Sequence, residues 1–346
     1  MNLAEHRHTE SDKGKAMVRL TTTILKFFFL ILFISSFHAE AQELRKVRLA
    51  PHWIPQSQFA GFYVALEKGI YRKYSLDVEI IQGGPRQSSA EMLQKGQTDF
   101  ALLWLSNAMQ LRHQGVRIVN IAQLVNRSSL MLVARKSSGI KTPRDMNGKK
   151  VGIWGGDFEI QPNAFFKKYN IKVKTIQQGN SINLFFFGGI DVTSAMWYNE
   201  YHTILNSGIE PEQLQTFFFA DHGLNFPEEG IYCSDSLLQA NPKLCRDFLQ
   251  ATFEGWKYAD QNREEAIRIV MQYMKNAKYS TNKAHQRWML EKMIELYFPD
   301  SSSTWFHRLT KEGYQLVGDT MKSNGLIRSI PPFEELYRPV TSGRKP

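Results

Sequence analysis

Lys149-Lys150-Val151-Gly152-Ile153-Trp154-Gly155-Gly156-Asp157 is the stretch that decides the fold. Two lysines lead into a short apolar run, and two glycines stop it. A short apolar run bounded by turn residues reads as a buried strand. Outward from it, strand and helix signals alternate. Upstream, Val47-Arg48-Leu49 runs into Pro51-His52-Trp53, and Phe59 to Lys68 reads as a helix stopped at Gly69. Leu76 to Ile80 alternates and ends at Gly83-Gly84-Pro85, and Ser88 to Lys95 reads as a helix. Phe100 to Leu105, Ile118 to Leu124 and Leu130 to Ala134 read as strands. Downstream, Val173 to Ile176, Ile190 to Ser194 and Leu214 to Phe219 repeat the pattern. Such alternation predicts an α/β fold with parallel sheets covered on both faces. From Pro242 onward helix signals dominate; Leu290, Met293, Ile294 and Tyr297 share one helical face, read as core packing.

The chain has 346 residues, of which 42% are hydrophobic, enough for one large domain or two medium ones. A charged fraction of 22% argues against global disorder. Two cysteines exclude a disulfide scaffold and a Cys-rich zinc module. The net charge of +10 permits an acidic partner or an anionic surface without naming one. No basic stripe interleaves with aromatics, so no nucleic-acid partner is expected.

The first 41 residues read as an extension and a signal peptide. Arg19 and Lys26 precede an uncharged apolar run from Phe27 to Phe37, and Ala39-Glu40-Ala41 follows. As a helix the run spans about 16 Å at ~1.5 Å per residue, short of a ~30 Å hydrocarbon core. A basic segment, a short apolar run and small residues describe a secretory leader. Cleavage is expected after Ala41, with a periplasmic destination; an uncleaved anchor is the alternative. Met17 is a second candidate start, because the residues before it add nothing to the leader. In an oxidising compartment Cys233 and Cys245 either pair or remain two small buried side chains. The tail from Thr341 to Pro346 is expected to be mobile.

Catalytic signatures are missing from the sequence. It has no GxSxG elbow, no GxxxxGK[ST] loop and no HExxH. His52, His113, His202, His222, His285 and His307 show no ligand spacing, so no metal is expected. Ligands meet open α/β sheets beyond the carboxyl ends of strands. That rule directs attention to Pro51–Phe59, Gly83–Ser88, Ser106–Asn107, Trp154–Asn163 and Trp197–Tyr201. These loops carry aromatics, amides and glycine, an inventory that suits a flat polar ring stacked on its faces and hydrogen-bonded at its edge.

A family resemblance rests on several stretches. They are Gln58-Phe59-Ala60-Gly61-Phe62-Tyr63-Val64-Ala65, Gly69-Ile70-Tyr71, Gly83-Gly84-Pro85, Val151 to Phe158, Tyr198-Asn199-Glu200-Tyr201, and Pro227-Glu228-Glu229-Gly230-Ile231-Tyr232. In their order and spacing, from Val47 to about Pro339, they resemble the thiamin-pyrimidine (NMT1/THI5-like) family of periplasmic solute-binding proteins. The resemblance implies a type II periplasmic binding protein fold, two α/β lobes with a ligand cleft between them. Lobe one would take 44–130 and 231–340, and lobe two 131–230, with hinges near Ser129–Met131 and Glu229–Tyr232. It implies a monomeric receptor without cofactor that works with the permease subunits of an ABC importer. The implied ligand is a small heteroaromatic molecule, a thiamin pyrimidine precursor of the formylaminopyrimidine or hydroxymethylpyrimidine type. Riboflavin, or a sensor role, is the alternative. The family's fungal synthases carry a Cys-rich iron-binding motif and use pyridoxal phosphate; this chain has no Cys cluster, so an enzyme is not expected.

Trp53 is expected to stack on the ring, with lobe packing as the alternative. Gln58 offers an amide edge, or else a cap. Trp104 and Ser106 follow a strand, where the Ser106 hydroxyl would cap the next helix and touch ligand. Trp154, Gly155, Gly156 and Asp157 form the strongest stretch, because glycine lets backbone approach a ligand; a tight structural turn is the alternative. Tyr198, Asn199 and Glu200 place a phenol, an amide and a carboxylate together. Either Glu200 or Glu229 is expected to pair with an amino-pyrimidine edge.

Overall fold

The computed structural model describes residues 43–84, 87–299 and 308–340. The expected leader and its cleavage after Ala41, Pro85, His307 and the tail from Thr341 lie outside the described residues.

Two five-stranded sheets organise the chain. The first has the order β2-β1-β3-β10-β4, from β1 (Arg45–Ala50), β2 (Leu76–Ile80), β3 (Phe100–Trp104), β4 (Ile118–Gln123) and β10 (Glu229–Ser234). The second has the order β7-β6-β8-β5-β9, from β5 (Leu130–Arg135), β6 (Lys150–Ile153), β7 (Lys174–Gln177), β8 (Val192–Met196) and β9 (Leu214–Phe218). The strands read from the sequence correspond to all of these but β10; every residue of β3 and β8 is buried, as apolar runs covered on both faces require.

The sheets are mixed, which corrects the expectation of parallel ones. β1 pairs in parallel with β2 and β3, but β10 runs antiparallel to β3 and β4. β6 pairs in parallel with β7 and β8, but β5 runs antiparallel to β8 and β9. The reason is the path of the chain. It leaves the first sheet at β4 and enters the second directly at β5, then returns at β10, so each transfer lays one strand against the prevailing direction.

The two joining segments, 124–129 and 219–228, are laced together. Leu124 N donates to Glu229 O at 2.9 Å, and Glu228 N donates to Val125 O at 2.9 Å. Ser128 N donates to Asn225 Oδ1 at 2.8 Å, and Asn225 Nδ2 to Asn126 O at 3.0 Å. Met131, Ile231 and Tyr232, expected at the hinges, sit inside strand ladders that fix their backbone.

The C-terminal helices cover the first sheet. Phe248, in the helix Pro242–Gln261, stacks on Phe100 with ring centroids 4.1 Å apart. Trp256 lies edge-on to Phe62 and stacks on Tyr297 at 4.3 Å. Leu290, Met293, Ile294 and Tyr297 are buried, as the helical stripe implied. Gly61 lets this layer close: a Cβ there would lie 2.2 Å from Trp256 Cγ. Cys233 and Cys245 are both buried and both free thiols.

Candidate functional site

The carboxyl ends of β1, β6, β7 and β8 converge on one cavity of about 470 Å³, within the range of small-ligand sites. Its walls are His52, Trp53, Gln56 and Gln58 from the segment after β1, Trp154, Gly155 and Phe158 after β6, Gln177, Gln178 and Asn180 around the end of β7, and Met196, Tyr198, Asn199 and Glu200 after β8. A larger groove of about 930 Å³ runs along the helix Arg263–Asn276. Charged residues such as Glu264, Arg268, Lys275 and Lys278 line it, and no strand end points into it, so it reads as a solvated surface.

The order of residues in each loop explains the walls. Gly83, after β2, packs against the loop after β1, where a Cβ would meet Pro51 O at 2.2 Å and Trp53 O at 2.6 Å. That close approach braces the Trp53 segment. Gly156 has φ +67 and no atom within 4 Å of a Cβ position, so it serves the turn after β6. Phe158 stands edge-on between two indoles, 5.6 Å from Trp154 and 5.0 Å from Trp104. Trp154 Nε1 donates to Gly179 O at 3.0 Å, which ties the β6 and β7 loops together.

A polar chain lies behind this wall. Gln56 Nε2 donates to Gln58 Oε1 at 2.6 Å, and Gln58 Nε2 donates to Glu229 Oε1. Tyr297 OH donates to Glu229 Oε2 at 3.1 Å. Trp104 Nε1 donates to His52 Nε2 at 3.4 Å, which leaves the His52 proton on Nδ1, a buried atom with no partner. Burial pushes the His52 pKa down to about 3, so the ring is neutral. Burial pushes Glu229 up to about 8 and Glu200 up to about 7. Glu200 accepts from Met196 N at 3.0 Å and from Asn199 Nδ2 at 2.9 Å, at the start of the helix Glu200–Asn206.

The structure brings Trp53, Gln58, Trp154, Gly155, Tyr198, Asn199 and Glu200 to the cavity wall. Trp104, Ser106, Gly156, Asp157 and Glu229 are not on it. Trp104 and Glu229 face one another in register on β3 and β10 and stand one layer behind. Ser106 is buried within the helix Leu105–His113, whose N-cap is Trp104, so its hydroxyl is not the cap expected of it. Asp157 accepts from Asn107 Nδ2, and burial pushes it up to about 6. The wall also holds His52, Gln56, Phe158, Gln177, Gln178, Asn180 and Met196. The run Gln177 to Asn180 follows a strand read from the sequence, so the strand-end rule applied there finds it too.

Among the described residues, no cluster of His, Cys, Asp and Glu could hold a metal ion, and no helix is long and apolar enough to cross a membrane.

Comparison with known proteins fits this geometry. The family model "NMT1/THI5 like" matches residues 56–266. The chain belongs to that family. It is 24% identical over 271 residues to riboflavin-binding protein RibY of Chloroflexus aurantiacus, covering 73% of each chain. It is 19% identical over 269 residues to the formylaminopyrimidine-binding protein of Halalkalibacterium halodurans, covering 72% of this chain and 78% of that one. Relatives named 4-amino-5-hydroxymethyl-2-methylpyrimidine phosphate synthase, from Legionella pneumophila and Saccharomyces cerevisiae, match as well. Among solved structures, the periplasmic aliphatic sulphonate binding protein SsuA of Escherichia coli superposes with a TM-score of 0.68 at 14% identity, over 87% of this chain and 94% of that one. The fold is that of the periplasmic binding proteins.

Proposed function

We propose that this protein is the solute-binding component of an ABC importer and holds a small heteroaromatic ligand unchanged. Lobes of 44–130 with 231–340, and of 131–230, would close on it and present the loaded form to the permease subunits. The observation that carries this reading is the cavity wall: two indoles and a phenyl ring for stacking, a row of amides for the edge, and one carboxylate. A carboxylate accepting from the exocyclic amine and a ring N–H fits an amino-pyrimidine, so Glu200 is assigned that contact, with Glu229 acting through Gln58. A relative named for formylaminopyrimidine supports the thiamin-pyrimidine class. A relative named for riboflavin makes flavins the second ligand class to test. The protein would be exported by its leader, cleaved after Ala41, and act as a monomer in the periplasm. The synthase reading is disfavoured because the chain's two cysteines cannot form a Cys-rich motif.

The test is a thermal-shift and calorimetric screen of the mature protein against hydroxymethyl- and formylaminopyrimidines, thiamin and flavins. A true ligand at 100 times its Kd adds about 2.7 kcal/mol of stability. The bound compound should be recovered with its mass unchanged. No shift with any ring compound, or recovery of a converted product, overturns the reading.

A further inference from the structure

Three carboxyl groups gather at the cavity without a cation to match them: Glu200, half-buried on its wall, and Glu228 and Glu229, buried and off the wall. Tyr198 marks the place. It is 4% exposed, and after burial itself the charges of Glu228, Glu229 and Glu200 are what push its phenol upward. Each carboxyl is held only by neutral donors. Glu200 has Met196 N and the Asn199 amide. Glu228 accepts from Ser129 N at 2.5 Å, from Ser129 Oγ at 2.9 Å and from Ser128 Oγ at 3.2 Å. Glu229 has the Gln58 amide and the Tyr297 hydroxyl; the His52 ring nearby, its Nε2 at 3.5 Å, is uncharged and does not neutralise it. Among the described residues, no Lys or Arg lines the cavity, and none forms an ion pair with these three groups. The walls add aromatic faces at Trp53, Trp154, Phe158 and Tyr198, and such faces attract cations.

Burial holds these carboxyls above the ordinary glutamate range, and a positive group placed beside them is what favours their ionised form. A positive group is drawn in by the carboxyls and the ring faces together. A phosphate ester brings a charge that no Lys or Arg of the wall can neutralise, and burying an unpaired charge is strongly unfavourable. We propose that the cavity selects rings that are cationic or protonated when bound, and refuses the phosphate esters of the same rings. The inference builds on the solute-receptor reading and narrows its ligand. It also orders the chemistry: any phosphoryl group the ligand later carries is added by a phosphotransfer reaction after release.

The experiment compares matched pairs by calorimetry: hydroxymethylpyrimidine with its phosphate, thiamin with thiamin monophosphate, and riboflavin with its 5′-phosphate. Each ester is expected to bind at least ~100-fold more weakly than its parent, because its phosphate is buried without a partner. Glu200→Gln should narrow the gap at least ~10-fold, because it removes the wall carboxyl that pairs with the positive parent ring. An ester that binds within threefold of its parent overturns the proposal. If no parent ring binds, the receptor reading fails on its own, and charge selection is read with N-methylpyridinium and benzenesulfonate at millimolar concentration. A thermal shift with the cation and none with the sulfonate supports the proposal; an equal or larger shift with the sulfonate sinks it.

Discussion

His285 Nε2 lies 2.9 Å from Asn199 Oδ1, and through that contact a helix of the C-terminal third reaches the wall of the cavity. The other face of the same ring is occupied too. His285 Nδ1 lies 3.0 Å from His202 Nδ1, and His202 stacks on Trp288 with centroids 4.8 Å apart. Burial, then the neighbouring His202, pushes His285 down to about 4, so the ring is neutral near pH 7. Asn199 in turn donates to Glu200, which makes His285 a positioning residue for the carboxylate. His285→Ala removes one neutral hydrogen bond, worth about 0.5–1.5 kcal/mol. Affinity for the ring ligand should fall ~2- to 10-fold by that energy, with the fold intact by circular dichroism. Calorimetry showing unchanged affinity would mean that Asn199 and Glu200 hold their places without it.

Trp53 and Trp154 supply the stacking area of the wall. Indoles enclosed at a binding site often contribute 2 kcal/mol or more, so Trp53→Ala or Trp154→Ala should each weaken binding by about 30-fold or more. Neither sits in a fully buried position, so the melting temperature of the free protein should change little. Full affinity in both variants would place the ligand elsewhere.

Stability should depend on pH in a direction opposite to that of a protein held by ion pairs. Burial holds Glu200 and Glu228 at about 7 and Glu229 at about 8, all above the ordinary glutamate value. A carboxyl whose folded pKa is raised stabilises fully below its unfolded pKa, and that contribution is lost as pH rises through the folded value. His52 and His285, held at about 3 and 4, act the other way, losing stability as pH falls below the unfolded value of ~6.5. Above that value only the carboxyls of these two sets titrate. The melting temperature should therefore fall as pH rises from about 6.5 to 8.5, and Glu228→Gln should flatten the slope. A melting temperature that climbs over this range would show that the carboxyls are ionised and paired.

Gly61 and Gly255 fix how close two helices come. A Cβ at Gly61 would lie 2.2 Å from Trp256, and one at Gly255 would lie 2.3 Å from Gly61 O. Trp256 is fully buried and cannot turn away. Overpacking costs about 1–3 kcal/mol and sometimes more, so Gly61→Ala should lower the unfolding free energy by that amount, read as a lower denaturant midpoint, or prevent folding. A midpoint within experimental error of the parent would mean the helices can part freely.

Cys233 on β10 and Cys245 on the following long helix are free thiols, and hydrogen bonding to Cys245 together with burial pushes the Cys233 thiol up. Both should resist a thiol reagent in the native protein and both should react once it is unfolded. Failure to react after unfolding without reductant would show that they pair in the exported protein.

Much of this architecture is written in local pattern. Buried strands leave apolar runs, and Phe100 to Leu105, Ile118 to Leu124 and Leu130 to Ala134 announce β3, β4 and β5 almost to the residue. β10 escaped that reading because Glu228-Glu229-Gly230 interrupts the apolar run where the strand begins. Its buried carboxyls are tolerated only because Gln58, Tyr297, Ser128 and Ser129 arrive from distant segments to bond them. The strand-end rule put Trp53, Gln58, Trp154 and Tyr198 to Glu200 in one neighbourhood. It could not separate wall from backing, because whether Glu229 or Trp104 faces the cavity depends on which side of a strand meets which neighbour.

The sequence by itself determined the alternation of strands and helices, the loops that gather at their carboxyl ends, and the aromatic and amide character of those loops. These follow from side-chain period and turn chemistry, which act over a few residues. Only the tertiary structure decided the antiparallel strands, the lacing of segments 124–129 and 219–228, and the carboxyls gathered at the cavity without a matching cation. Those depend on residues some 100 positions apart meeting in one place, where burial changes what a carboxyl or an imidazole prefers to be.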